Sequence, residues 1–165
     1  MPEVARRQKV RFVSESAIHG LLLVSALLVI TGNRSDTSWA VLLKVAGTVV
    51  VFWIAHVFAH VVGQLSDADD GPVAFKKVLR HAVNRSSGLL IAAVIPLAIV
   101  LLGALNTLND DTAVWLALIV DTGLLAAFGY LAFAHWTPRT ALRLAGAAAT
   151  ALLGIVIILM KAFIH

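Results

Sequence analysis

Five apolar segments divide the chain, at roughly 14–31, 40–63, 88–108, 113–136 and 143–163. Each runs about 18–24 residues, long enough for a helix to cross a hydrocarbon core of ~30 Å. The chain therefore reads as all-α, a single integral-membrane domain over residues 1–165 with five transmembrane helices. Composition agrees: 60% of the residues are hydrophobic and 13% charged, too apolar a balance for one soluble domain of 165 residues. The lipid bilayer is the first partner that these numbers imply.

The formal charge of +4 and the pI near 10 do not point to nucleic acid. The basic residues fall in short segments between apolar runs, where they act as determinants of topology. With no cysteine, disulfides, thiolate metal sites and thiol redox chemistry are excluded, which leaves His, Asp and Glu as the strong ligands. The basic lead of Arg6, Arg7, Lys9 and Arg11 before an apolar run resembles a secretory signal. That run carries Glu15 and His19 and has no Ala-x-Ala site after it, so a retained first helix is expected. The Arg6–Arg7 pair is read as a basic flank rather than a twin-arginine signal.

Five crossings place the termini on opposite sides, and the Lys and Arg positions give the orientation. Arg6, Arg7, Lys9, Arg11, Lys76, Lys77, Arg80, Arg85, Arg139 and Arg143 all lie toward one face, while Arg34, Lys44 and Lys161 lie toward the other. The bias predicts a cytoplasmic N-terminus and an outside C-terminus in the cell (inner) membrane. Trp39 and Trp115 then fall at the outer interface and Trp136 at the inner one.

The one long connection, 64–87, opens with Asp67, Asp69 and Asp70, after which Gly71–Pro72 suits the first turn of a helix. Phe75, Val78, Leu79, Ala82 and Val83 form an apolar stripe, and Lys76, Lys77, Arg80, His81 and Arg85 cover the opposite face. This pattern predicts a basic amphipathic helix over roughly 72–85, lying at the cytoplasmic headgroups and continuous or nearly so with the third span. Pro96 is expected to kink that span by removing one backbone hydrogen bond. Small residues at Gly146, Thr150 and Gly154, and again at Ala55, Ala59 and Gly63, mark faces where a helix can approach closely. The partner helix comes either from the same chain or from a second copy, so a homo-oligomer is one expectation.

Within this frame the polar residues form two layers. His56 and His60 are four residues apart in an apolar run, so both imidazoles project from one helix face, about 6 Å apart along the axis. An ionisable group inside a membrane helix is costly, and it marks a functional site unless it serves helix packing. Treating spans one and two as an antiparallel hairpin brings Glu15 to the height of His60 and His19 to that of His56. His135, at the inner end of span four, reaches the same level. Imidazole and carboxylate together suit zinc, iron, manganese or nickel, and the competing possibility is a Glu15–His ion pair.

The outer layer holds Asp121 and Lys161. A hairpin of spans four and five about residue 140 puts them within about one helical turn in height. A structural ion pair is the expectation favoured here, and a role in an ion pathway is the alternative. Asn106 and Lys44 fall near the same outer level. Nucleophilic and phosphate-binding chemistry is not indicated, because Ser86 and Ser87 have no base placed by sequence and neither a Gly-rich phosphate loop nor Gly-x-Ser-x-Gly occurs.

The stretches Glu15–Ser–Ala–Ile–His–Gly20, Val51–Phe–Trp–Ile–Ala–His56–Val–Phe–Ala and Leu159–Met–Lys161–Ala–Phe–Ile–His165 resemble small multi-span membrane proteins of high-GC bacteria. The resemblance spans nearly the whole chain and implies the fold but no particular activity. Among such sequences the position of His19 is often tyrosine and that of His60 often glutamate. The resemblance thus implies Glu15 and His56 as the steadier members of the inner layer.

Three functions are compatible with this pattern. The first is a transporter or channel for a divalent cation or protons, with Glu15, His19, His56 and His60 inside and Asp121 as an outer relay. The second is a membrane-embedded metalloenzyme or haem protein, which ranks lower because few second catalytic groups share the inner depth and histidine-rich cytoplasmic motifs are absent. The third is a non-catalytic scaffold or assembly subunit whose polar layers only specify packing.

Overall fold

The structure of the protein, a computed structural model, describes residues 15–32, 36–66 and 75–164. Among the described residues there are five helices and no strand: α1 (Glu15–Thr31), α2 (Ser38–Ser66), α3 (Phe75–Ala104), α4 (Asp110–Trp136) and α5 (Thr140–Ile164). Four of them, α2 to α5, are long and apolar enough to cross a membrane. The expected count of five crossings is not reproduced by length, because α1 has 17 residues. Residues 1–14, with the basic lead, lie outside the described residues, as do Arg34, Asp67, Asp69, Asp70, Gly71, Pro72 and His165.

Although short, α1 is the helix the others enclose. It touches all four neighbours, and eight of its 17 residues are buried. Ala17, Leu21, Val24 and Leu28 recur at three- and four-residue spacing, which lines one face of a helix with apolar groups. Val24 and Leu28 pack with Val41, Val45 and Val49 of α2, Leu89, Ala93 and Val100 of α3, and Val114, Ala117 and Leu118 of α4, while Ala17 and Leu21 pack with Ala92 of α3 and Leu125 of α4. Against α3 the two helices run parallel in a fixed register: Ser16 stands beside Arg85 and, one turn on, Gly20 beside Leu89. A Cβ at Gly20 would fall 2.7 Å from the Leu89 carbonyl oxygen, so glycine is what allows the backbones to touch.

The amphipathic stretch is the opening of α3, continuous with the third span as expected, and the helix runs unbroken through Ser86–Ser87–Gly88 and through Pro96. Val78 and Ala82 are buried against Val57 and Val61 of α2, with Val83 beside them, while Phe75 and Leu79 stay exposed. Half of the apolar stripe is thus satisfied by a helix rather than by lipid. At about 1.5 Å per residue, α3 is ~45 Å long, beyond what a ~30 Å core requires.

α3 stops at a Schellman-type cap. Asn106 adopts φ 56°, its N–H bonds the Gly103 carbonyl, and the Thr107 N–H bonds that of Leu102. Asparagine tolerates this left-handed conformation better than most residues. The third apolar segment therefore ends four residues earlier than its hydropathy suggests, and Asn106 serves the turn, not a polar layer. Across that turn Asp110 begins α4, where a carboxylate complements the helix dipole, and its Oδ1 accepts the Ser38 N–H at the start of α2.

The last two helices form a tight hairpin about Thr137–Arg139. Gly154 lies against Thr122, Gly146 against Phe133, and Gly129 against Gly146 and Thr150. The small-residue face of α5 is therefore filled by α4 of the same chain. The corresponding face of α2 is open: Ala55, Ala59 and Gly63 are exposed, and nothing lies within 4 Å of a Cβ placed at Gly63. The exposed faces of α2, α3 and α5 carry large apolar side chains such as Val51, Phe58, Ile91, Val94, Leu152 and Phe163, the surface a lipid-facing bundle presents.

Candidate functional site

Three helices meet at one end of the bundle to form an open cleft of about 200 Å³. It is lined by Glu15 and Ser16 of α1, His56 and His60 of α2, and Asn84, Arg85 and Gly88 of α3. Their convergence follows from the packing just described: the parallel register of α1 on α3 puts Glu15 beside Arg85, and the α2–α3 contact brings the histidine face alongside. The Ser16 hydroxyl donates to the Arg85 carbonyl oxygen at 2.9 Å and fixes the start of α1 on α3.

Within the cleft the two imidazoles meet edge to face, with ring centroids 4.8 Å apart, and Phe52 stacks on His56 one turn away. Glu15 Oε2 lies 4.0 Å from Arg85 Nη2, the outer limit of an ion pair. Both side chains are largely exposed, so this contact contributes little stability. The Glu15–His pairing considered from sequence gives way to a looser Glu15–Arg85 one. Imidazoles beside a carboxylate in an open cleft are the groups that general acid–base and proton-shuttling sites use. They could also offer two nitrogens and an oxygen to a metal, but among the described residues no three of His, Cys, Asp and Glu are grouped closely enough to hold one.

Two of the expected inner ligands are placed elsewhere. The ring of His19 turns back to its own helix, with Nδ1 2.9 Å from the Glu15 carbonyl oxygen, and the residue is exposed outside the cleft lining. His135 does the same on α4, its Nδ1 2.6 Å from the Leu131 carbonyl oxygen. A matching height on neighbouring spans does not fix which way a side chain points around its helix.

The second polar layer differs from expectation more sharply. Asp121 and Lys161 are both buried, at 0% and 1% exposure, and no ion pair joins them. Thr122 stands opposite Gly154, and seven residues further along each helix Trp115 stands opposite Lys161. Asp121 therefore shares its height with the region of Ile155. The hairpin turns at Thr137–Arg139 rather than at residue 140, and a two-residue error in the turn becomes four residues in the opposing helix, about 6 Å of height.

Each group has found a different partner. The Lys161 ammonium donates to the Gly32 carbonyl oxygen at 2.5 Å and lies 5.6 Å from the centre of the Trp115 ring. It thereby caps the C-terminal end of α1, where unpaired carbonyls and the helix dipole both favour a cation. Asp121 Oδ2 accepts a hydrogen bond from the Ser25 hydroxyl of α1, and Oδ1 has no partner. Lys44, also assigned to this level, pairs at 3.2 Å with Asp36 at the surface.

Four residues of these sites were not singled out by sequence: Ser16, Asn84 and Arg85 in the cleft, and Ser25 in the core. Ser25 carried a signal, as a polar residue in the middle of the first apolar segment. Arg85 was counted as a topology charge and as part of the basic face of the amphipathic helix, not as a site residue. Ser86 Oγ and Trp53 Nε1 are further buried polar atoms without a hydrogen-bond partner, both near the cleft helices. No protein-family model, curated protein or solved structure matches the chain.

Proposed function

We propose that the chain is a multi-pass membrane carrier or channel for protons, loading at the Glu15–His56–His60 cleft and relaying through Asp121. One observation carries this: a cleft with three protonatable side chains opens at one end of the same bundle that seals a carboxyl group in its core. An ionisable side chain inside a membrane bundle is a functional-site hypothesis by default. The cleft end is the cytoplasmic one in this scheme, because Lys76, Lys77, Arg80, Arg85, Arg139 and Arg143 all lie toward it. α1 then serves as a fifth, short crossing, with an inside N-terminus and an outside C-terminus.

The test is flux into liposomes holding the purified chain, measured for protons, with zinc and manganese as controls. Glu15→Gln and His56→Ala should each lower flux several-fold, whereas His135→Ala, outside the cleft, should leave it unchanged. Proton flux no greater than that of empty liposomes would overturn the proposal.

A second reading, a non-catalytic scaffold, is favoured by a specific feature of the core. Both buried ionisable groups hold α1 in place, Lys161 through Gly32 and Asp121 through Ser25. Absent flux combined with strong destabilisation by changes at these contacts would select it.

A further inference from the structure

We infer that the Ser25–Asp121 contact is an occluded proton-binding site, with the proton held on the Asp121 carboxyl group and the Ser25 hydroxyl orienting it. The inference deepens the carrier reading by placing the proton at this position. It rests on that reading for its role in transport and on the local geometry for its occupancy.

That geometry is a carboxyl group with no solvent exposure, one hydrogen bond and one bare oxygen. An ionised carboxylate there would have given up its hydration for a single hydroxyl donor, and buried charges persist only when paired and fully hydrogen-bonded. The surroundings offer no countercharge. Along α1 no titratable residue occurs between His19 and Thr31, nor along α3 between Arg85 and Ala104. On α4 the nearest titratable positions in sequence are Asp111 and Tyr130, and on α5 only Lys161 lies beyond Arg143. Lys161 sits about 9 Å away in height and is committed to Gly32 and Trp115. From α2, Lys44 is taken by Asp36, and His56 and His60 face the cleft.

A metal cation does not suit this place. Asp121 and Ser25 present at most three oxygens, and their helix neighbours Leu21, Leu28, Leu118 and Leu125 are all fully buried hydrocarbon. Zinc takes four ligands, and magnesium and calcium take six or more. A proton needs one oxygen. Loading converts carboxylate and one proton to the neutral acid, and release reverses it when the α1–α4 contact opens to water.

The experiment is infrared difference spectroscopy on the full chain in lipid at neutral pH, comparing wild type with Asp121→Asn. A protonated-carboxyl stretch present in the wild type and lost in the variant is expected. In Ser25→Ala, which keeps the acid and removes its hydrogen bond, the same stretch should shift to higher frequency. This second variant keeps the inference testable if Asp121→Asn does not fold. A difference spectrum containing only carboxylate bands, or a Ser25→Ala band at the wild-type position, overturns the assignment. Flux measured on the same samples separates the two claims: a protonated band without flux supports the proton site and removes the carrier, while flux without the band removes the proton site alone.

Discussion

The two ends of this bundle treat ionisable side chains in opposite ways. At the cleft end, Glu15, Arg85, His56 and His60 surround open space, none of them is fully buried, and the one ion pair among them is stretched to 4.0 Å. In the core and toward the other end, Asp121 and Lys161 are sealed, and each is fastened to α1 by a hydrogen bond. Solvated charges hold little folding energy and stay free to react, whereas sealed ones are tied to the packing. Substitutions at the cleft should therefore change chemistry without changing stability, and substitutions along the buried face of α1 should do the reverse or both.

The largest effect is expected where α1 touches α3. Gly20→Val would drive a branched side chain into the Leu89 backbone, which cannot move aside as a side chain could. Overpacking of this kind costs about 1–3 kcal/mol, occasionally more. Thermal unfolding in detergent should show it, and a variant as stable as the wild type would mean that the helices are not in this register.

Next comes the cap on α1. Lys161→Met removes the donor to the buried Gly32 carbonyl and the cation over Trp115, leaving an acceptor unpaired at a cost of about 1–3 kcal/mol. The same assay applies, and hydrogen exchange should quicken in the last turn of α1. Unchanged exchange there would show that Lys161 does not hold that end.

A smaller change in stability, within about 0.5 kcal/mol, is expected for His56→Ala, because the ring is only partly buried at the edge of an open cleft. Under the carrier proposal, its consequence is read in flux. If His56→Ala instead unfolds the protein as readily as Gly20→Val does, the cleft is a packing seam and the contrast between the two ends collapses.

What the sequence could and could not reveal follows from the same contrast. The helices were legible because runs of Leu, Val, Ile and Ala mark α2, α4 and α5 to within about three residues at each end, and the Glu15, His56 and His60 grouping emerged from helical spacing and height alone. Azimuth was not legible: His19 and His135 have suitable height but rotate away, and no periodicity distinguishes these nearly uniformly apolar faces. The union of the amphipathic stretch with α3 was legible, but its docking on α2 was hidden, because the Val57–Val61 surface that absorbs Val78 and Ala82 is distant in sequence. The end of α3 was set by Asn106 in a left-handed turn, which hydropathy does not register.

The smallest effect is the most discriminating, and it concerns the pair that sequence alone would join. If Asp121 and Lys161 neutralised one another, Asp121→Asn combined with Lys161→Met would recover much of what each single change loses, as when both members of a buried ion pair are removed. The structure places them about 9 Å apart in height, with no shared partner: one is held by Ser25, the other by Gly32 and Trp115. Sites so separated act independently, so the coupling in a double-mutant cycle should be at most about 0.5 kcal/mol. Because the acid is sealed without a cation, its replacement by the neutral amide should also be the milder of the two single changes, with Ser25 still able to hydrogen-bond it. A coupling of several kcal/mol would mean that the α4–α5 hairpin adopts the other register in the membrane, one turn displaced, and would return Lys161 to Asp121 as its counterion.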